Sequence, residues 1–432
     1  MRVAIVGAGV GGLAAAYELA FAGMQVTVFE ASDYVGGLAA GFRDERWDWS
    51  VERYYHHWFA SDKDMLGLID ELGWRDKVLF PRPVTAVYHE GQFYALDSPL
   101  AVLRFPGLGF LERVRFGVVV AYLKYLARWQ PLESVTASSW LARWIGERAY
   151  RILWEPLLVG KFGPYYQDVN MAWFWARVKA RTPRLGTFEG GFQAFNDDFA
   201  KKIKQMGVEI RLSSPVTSIV PDPDGVLRVS VEGEQLPFDQ CLVTSSPGQL
   251  TRLAPTLPAE YLERLLSLRS MGAVVVVLAL KHKLSESGVY WHNMPKSAGF
   301  PYLSLVEHTN YVDAAHFGGD HIVYIGDYLE PDHEYFTLSK EELLELFLPS
   351  LSRLNPEFSV DWVLDSWMFR TTYAQPVPPL NHSQAIPDLK TPIPGLWFAS
   401  MSQVYPWDRG TNFAVAIARK AARAMLAAER GS

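Results

Sequence analysis

Three glycines and one acid near the start of the chain have the spacing that most directly suggests chemistry. They are Gly7, Gly9 and Gly12, with Glu30 following the last of them by 18 residues. Such a set can hold a dinucleotide: Gly7 permits a tight turn, Gly9 lets backbone approach a pyrophosphate, and Gly12 lets a helix pack closely on its strand. Val10 and Gly11 open that helix, whose unpaired N–H groups and positive dipole end would face the phosphates. Glu30, followed by Ala31, closes a second apolar run, where a carboxylate can accept ribose hydroxyls. An acid there argues against a 2′-phosphate and leaves FAD or NAD. The pair Gly36-Gly37, followed by Leu38, favours FAD, because a flavin laid through the protein interior needs a second close backbone approach to its diphosphate and ribityl chain.

The elements that must position these residues read clearly. Val3 to Val6 and Val26 to Phe29 are buried-strand runs flanking an apolar helix, and Asp62 caps a short helix that Gly73 stops. Beyond residue 80 the character changes. Short strands at 84–88 and 92–96 precede a helical region that runs to about 180, and a helix extends through Met206. Strand-like segments follow from Val208 to Thr244, then alternating strands and loops over 271–330, a helix capped by Ser339, a strand over 362–369, a short buried strand from Gly395, and a helix over 412–429. The fold class is therefore α/β: a Rossmann-like FAD-binding domain, discontinuous in sequence (1–79, 186–247 and 390–432). An inserted α+β substrate domain (80–185 and 248–389) would carry a mixed sheet and a helical cap over about 100–180.

Composition bounds the function. The chain has 432 residues and a net charge of −6, and lacks the basic surplus a nucleic-acid partner requires. The single cysteine, Cys241, reads as a small buried hydrophobe and rules out a disulfide framework. No stretch approaches the ~20 apolar residues of a membrane span, so the expected location is cytoplasmic. One segment qualifies that. Residues 104–128 combine an apolar run with Arg104, Arg113, Arg115, Lys124 and Arg128 against Glu112 alone, as a helix lying on the inner face of a membrane would.

These motifs together resemble the FAD-dependent amine oxidase superfamily: flavin amine oxidases, protoporphyrinogen oxidases, phytoene desaturases and, further away, UDP-galactopyranose mutases. The similarity rests on the glycine turn with Glu30, on Asp33-x-x-Gly36-Gly37, on Glu189-Gly-Gly-Phe-Gln-Ala-Phe, on Pro215-Val-Thr-Ser-Ile-Val and on Gly395-Leu-Trp-Phe-Ala with Asp408 and the last helix. Glu52-Arg-Tyr-Tyr-His-His-Trp-Phe59 and Tyr405-Pro-Trp-Asp-Arg409 bring it nearest to a bacterial and archaeal protoporphyrinogen oxidase-like branch. The resemblance implies that the Val216 backbone meets the adenine and that Ser245 passes the cofactor. It also implies that Asp408 lies near the ribityl chain and pyrophosphate, and that the last helix, from Asn412 and Phe413, faces the flavin N1–C2=O edge. Leu38 stands where members often have arginine, and Phe413 where they usually have a small residue.

The same resemblance puts substrate-side candidates at His56 and His57, Lys161, Arg370 and Tyr373, with Gln375 on the strand of the last two. A metal site is not expected, because adjacent histidines on a strand point to opposite faces and no further ligands cluster nearby. Six of the fifteen tryptophans fall between 129 and 175, a core or the lining of an apolar tunnel. The expected activity is hydride transfer from an apolar or ring-containing small molecule, lipid-like substrates included, to flavin N5. Two alternatives stand beside it: a flavin-dependent sugar isomerase of the mutase type, with Arg177, Arg181 and Arg184 clamping a diphosphate, and a flavin-binding module without catalysis.

Overall fold

The computed structural model describes residues 1–430 and contains two principal sheets. The first is a five-stranded, all-parallel sheet in the order 209–211, 25–29, 2–6, 240–243, 396–398. Its central strand, Arg2–Val6, is apolar on both faces because both are covered. Val3 and Ile5 join Leu13, Leu19 and the helix Phe192–Gln205, while Ala4 and Val6 join an antiparallel layer through Ile219 and Val229 and a helix through Leu253. The C-terminal helix, Thr411–Arg430, lies against the helix Val10–Phe21. Gly11 makes that approach possible, since a Cβ there would sit 3.3 Å from Ala414 O. Cys241 is fully buried in its strand, and burial pushes its thiol up to about 12.

The second sheet is seven-stranded and mixed, in the order 363–376, 270–280, 321–329, 304–307, 289–293, 84–89, 92–95. Ser270–Leu280 is its apolar spine. Val274, Val276 and Leu278 face the helix Lys340–Phe347, which Ser339 caps reciprocally with Glu342. Met271 and Ala273 point the other way, into a helical layer holding Phe162, Trp173 and Trp175. Between residues 99 and 180 every regular element is helical.

The short helix Lys63–Glu71 corrects one sequence expectation. Asp62 does not cap it; that carboxylate accepts the Phe59 N–H at 2.9 Å instead. The free N–H groups of Asp64 and Met65 are taken by Asn412 Oδ1 at 2.9 and 3.0 Å, from a residue 348 positions away.

Candidate functional site

The glycine turn and the Gly36-Gly37 pair meet at the C-terminal end of the parallel sheet. Gly7, at φ +105°, turns the chain out of its strand, and the Gly36 N–H donates to Ala8 O at 2.9 Å, so Gly9 and Gly36 form a bridge. A Cβ on Gly12 would fall 2.0 Å from Gly7 O, and one on Gly37 would fall 3.1 Å from Gly9 Cα. Gly9 differs: a Cβ there would meet Gly37 Cα at 3.9 Å and Gly36 O at 4.0 Å, ordinary contact without a clash. Glu30 accepts the N–H groups of Ala8 (2.7 Å) and Ser32 (3.0 Å), which fixes its carboxylate at the strand end beside exposed Ala31.

Sequence reasoning missed the residues that hold this cradle. Thr244 Oγ1 donates to Val6 O at 3.0 Å, next to the glycine turn, and neighbouring Ser245 is left with a buried Oγ lacking a partner. The Glu189–Phe195 motif supplies Gln193, which donates to Val35 O at 3.3 Å and accepts from the Gly41 N–H at 2.9 Å. Asn196, fully buried, donates to Ala39 O at 3.0 Å. These side chains splint the loop carrying Gly36, Gly37 and half-buried Leu38. Val216 begins the strand Val216–Pro221 and is buried against the parallel sheet. Open glycine backbone, an anchored acid and an unpartnered hydroxyl at a strand end suit a dinucleotide diphosphate and ribose.

A second group of charges forms between the mixed sheet and the helical layer. Lys161, on the helix Glu155–Phe162, is buried and donates to Gln375 Oε1 at 3.1 Å. Arg409 Nε donates to the same oxygen at 2.9 Å, and its guanidinium also bonds the Tyr328 hydroxyl. Asp408 Oδ1 accepts from Trp173 Nε1 (3.0 Å), Gln375 Nε2 (3.1 Å) and the Arg409 N–H (3.0 Å). Arg177, on the helix Met171–Ala180, points at Asp408 Oδ2 from 3.8 Å. Burial pushes the Asp408 carboxyl up, but the charges of Lys161 and Arg177 and the bonds from Trp173 and Gln375 outweigh it and hold it below its ordinary value. Burial likewise drives Lys161 well down and brings Arg409 to about 10.

His56 and His57 stand beside this group, both half-buried. Burial lowers His56 to about 4 and His57 to about 3, helped by the nearby guanidiniums, so both imidazoles are neutral at physiological pH. His56 Nδ1 lies 2.5 Å from Tyr54 O, and His57 Nδ1 is buried without a partner. Neutral rings of this kind can orient a ligand; they do not supply a proton near neutrality.

The other candidates are placed differently. Arg370 pairs in register with Val274 and so lies on the opposite face of the sheet from Phe369, which stacks towards Phe42 and Tyr54. Its guanidinium bonds the backbone carbonyls of Phe336 and Leu338, so its role there is to fasten a loop, and it does not join the charged group. Tyr373 bonds Ser400 and Ser402, each at 2.8 Å, and ties the mixed sheet to the end of the last parallel strand. The Asn412 side chain is spent on its helix cap, and Phe413 stacks on Trp407 at 5.5 Å with its own N–H bonded to Gly410 O. Of the three arginines considered for a diphosphate clamp, only Arg177 faces Asp408; Arg181 and Arg184 are exposed, the latter on Phe80 O. Among the described residues no group of three His, Cys, Asp or Glu side chains could hold a metal.

The parallel sheet with its paired glycine turns, joined to a mixed sheet under a helical layer, defines a two-sheet dinucleotide-binding protein. The chain belongs to the flavin containing amine oxidoreductase family, whose model matches residues 10–426. A mitochondrial protoporphyrinogen oxidase of Nicotiana tabacum is 44% identical over 80 residues, and a 15-cis-phytoene desaturase of Synechococcus elongatus 30% identical over 158. Those stretches span 18% and 33% of this chain, and only 16% and 33% of the respective relatives. Two solved structures share the fold throughout. A putative protoporphyrinogen oxidase from Exiguobacterium sp. 255-15 has a TM-score of 0.77 at 19% identity, covering 98% of both chains. Cyclohexylamine oxidase from Brevibacterium oxydans has a TM-score of 0.74 at 18% identity, covering 99% of both.

Proposed function

We propose that this flavin-family oxidoreductase binds FAD and oxidises a small molecule held between the mixed sheet and the helical layer. The observation that carries the reading is the bridge between the glycine turn at Gly9 and the Gly36-Gly37 pair, beside a fixed carboxylate at Glu30. Backbone N–H groups at the start of Val10–Phe21 would hold the diphosphate, and Glu30 the adenosine ribose. The N-terminus of the helix Thr411–Arg430, anchored by the Trp58 Nε1 bond to Thr411 Oγ1 at 2.9 Å, would present its dipole to the ring. Bound FAD would supply a two-electron acceptor for hydride leaving a substrate C–H bond.

The chain's own part is orientation, exclusion of water and electrostatics. Trp173 and Tyr328 wall the charged group, and His56 and His57 present neutral nitrogens beside it. The purified protein is expected to carry FAD, identified after release by denaturation. Anaerobic incubation with fractionated cell lipids and small metabolites should bleach its visible band. Absence of FAD, or failure of every fraction to bleach it, would sink the reading. Turnover that needs reduced flavin and transfers no net electrons would favour the isomerase instead.

The helix Phe110–Ala121 and the wide turn Tyr122–Leu126 support a membrane contact. Phe110, Leu111, Val118, Tyr125 and Leu126 are 64–79% exposed on this one segment, flanked by exposed Arg104, Arg115 and Arg128. No helix among the described residues is long and apolar enough to cross a membrane, so the contact would be with a surface. An apolar row with a basic border suits the interface of an anionic bilayer, at about 1 kcal/mol per cation near the surface. The protein should co-sediment with vesicles containing phosphatidylglycerol. Leu111→Asp with Leu126→Asp should reduce that binding about tenfold or more; equal binding by the variant would refute the contact.

A further inference from the structure

The charges between the mixed sheet and the helical layer do not balance. Lys161 and Arg177 share one carboxylate, Asp408, with the Arg409 guanidinium nearby on Gln375, and Asp408 Oδ1 already accepts three N–H groups. Asp408 Oδ2 faces Arg177 at 3.8 Å, beyond hydrogen-bond length. Arg177 Nε is buried with no partner at all. Lys161 has three donors, of which Gln375 Oε1 takes one while the Tyr328 ring lies 4.8 Å away. Even with Lys161 neutral, two guanidiniums outnumber one carboxylate. Such an excess inside a protein is costly unless something negative completes it.

The dinucleotide's own diphosphate is a poor candidate for that role. Its glycine turns lie at the end of the parallel sheet, whereas Lys161, Arg177 and Gln375 come from Glu155–Phe162, Met171–Ala180 and the mixed sheet; only Asp408 and Arg409 come from the nucleotide half, on the loop before Thr411–Arg430. Access favours a ligand arriving from the helical layer. Arg177 and Asp408 are still 24% and 20% exposed, and Arg181, within electrostatic reach of both Lys161 and Arg177, sits exposed at the end of the same helix as Arg177.

We propose that Arg177, Arg409 and Lys161 seat an anionic group of the substrate, a carboxylate or phosphate on a small organic molecule. This rests on the oxidoreductase reading and gives it a substrate class. It also narrows the apolar or ring-containing class expected from the sequence to one that carries an acid: an apolar body would lie along the aromatic walls, with its acidic end on the arginines. Arg's planar fork suits either oxyanion.

Calorimetric titration of the flavin-loaded protein with benzoate, phenyl phosphate and benzamide tests this, since the three share a ring and differ in charge. Benzoate or phenyl phosphate should bind at least about tenfold more tightly than benzamide, the worth of one charge-assisted hydrogen bond. Whichever of the two is tighter identifies the oxyanion. Arg177→Met should remove that preference and Arg177→Lys should retain part of it. Arg75→Met, which alters a surface pair with Asp70, should leave it unchanged. Equal affinity for all three probes, no binding of any, or a preference that survives Arg177→Met with flavin retained would overturn the proposal, and the first two outcomes need no variant. A protein that holds flavin and is reduced by substrate but binds neither anion would leave the oxidoreductase reading intact and refute only this one.

Discussion

Gly9→Ala is expected to give a folded protein that has lost its flavin, and Gly12→Ala to give little folded protein at all. The two glycines stand three residues apart, yet their missing side chains face different things. At Gly12 a Cβ would overlap Gly7 O at 2.0 Å and crowd Thr244 Oγ1 at 3.2 Å, so helix and strand would have to separate. Overpacking commonly costs ~1–3 kcal/mol, and a clash with backbone at that distance should exceed it. At Gly9 a Cβ meets protein only at ordinary contact distance, 3.9 Å from Gly37 Cα. It would instead occupy the strip through which a diphosphate must pass. Losing that approach should weaken FAD binding by about a hundredfold, or ~3 kcal/mol. The ratio of flavin to protein absorbance after purification, read beside thermal unfolding followed by circular dichroism, separates the two effects. Stoichiometric flavin in Gly9→Ala would refute the cradle.

Asp408→Asn should be the most damaging change in the charged group. The carboxylate is the common counter-charge of Lys161 and Arg177, and removing one partner of a buried pair typically costs ~3–5 kcal/mol, somewhat less here because the side chain is 20% exposed. The pH dependence carries a definite sign. Asp408 titrates below its ordinary value in the folded protein, so it binds fewer protons folded than unfolded. Its contribution is present above the ordinary carboxylate range and is lost as the pH falls through the lowered folded value. Denaturant unfolding measured from neutral pH down into that range should show an acid-sensitive component in the native protein that the asparagine variant lacks. Adding Lys161→Met to Asp408→Asn should recover part of the stability, because one of the stranded cations is then gone. Strict additivity of the two substitutions would show that the residues do not interact.

How much of this was legible in the sequence depends on the distance over which each interaction acts. The glycine turn, the helix after it and Glu30 are local, fixed by backbone constraints within thirty residues, and each stands where its spacing predicts. The Ser339 cap is local too, and forms as expected. The Lys63–Glu71 cap is not: Asp62 looks right by position, but Asn412 reaches the same N–H groups through the tertiary fold. The charged group was half visible. Lys161, Gln375 and Asp408 stand out singly in the sequence, yet Lys161 and Gln375 are 214 residues apart and Trp173 and Asp408 235, beyond any periodicity. Arg409 was overlooked beside Asp408, although two adjacent opposite charges in an aromatic segment were a usable signal. Arg370 failed for a simpler reason: one step along a strand reverses the face, and nothing in the sequence fixed that register.

The bond between Asn412 and the helix Lys63–Glu71 also has a consequence for biosynthesis. The parallel sheet and the helices covering it combine segments from residues 2–29, 192–243 and 396–430. Until Leu396–Phe398 and Thr411–Arg430 have been translated, the strand Gln240–Val243 has an open edge, the N-terminus of Lys63–Glu71 is uncapped, and the apolar face around Gly11 has nothing to lie on. A nascent chain that has already completed its mixed sheet and helical layer would still carry this unfinished surface. It would be a natural client for chaperones until Thr411–Arg430 has been made.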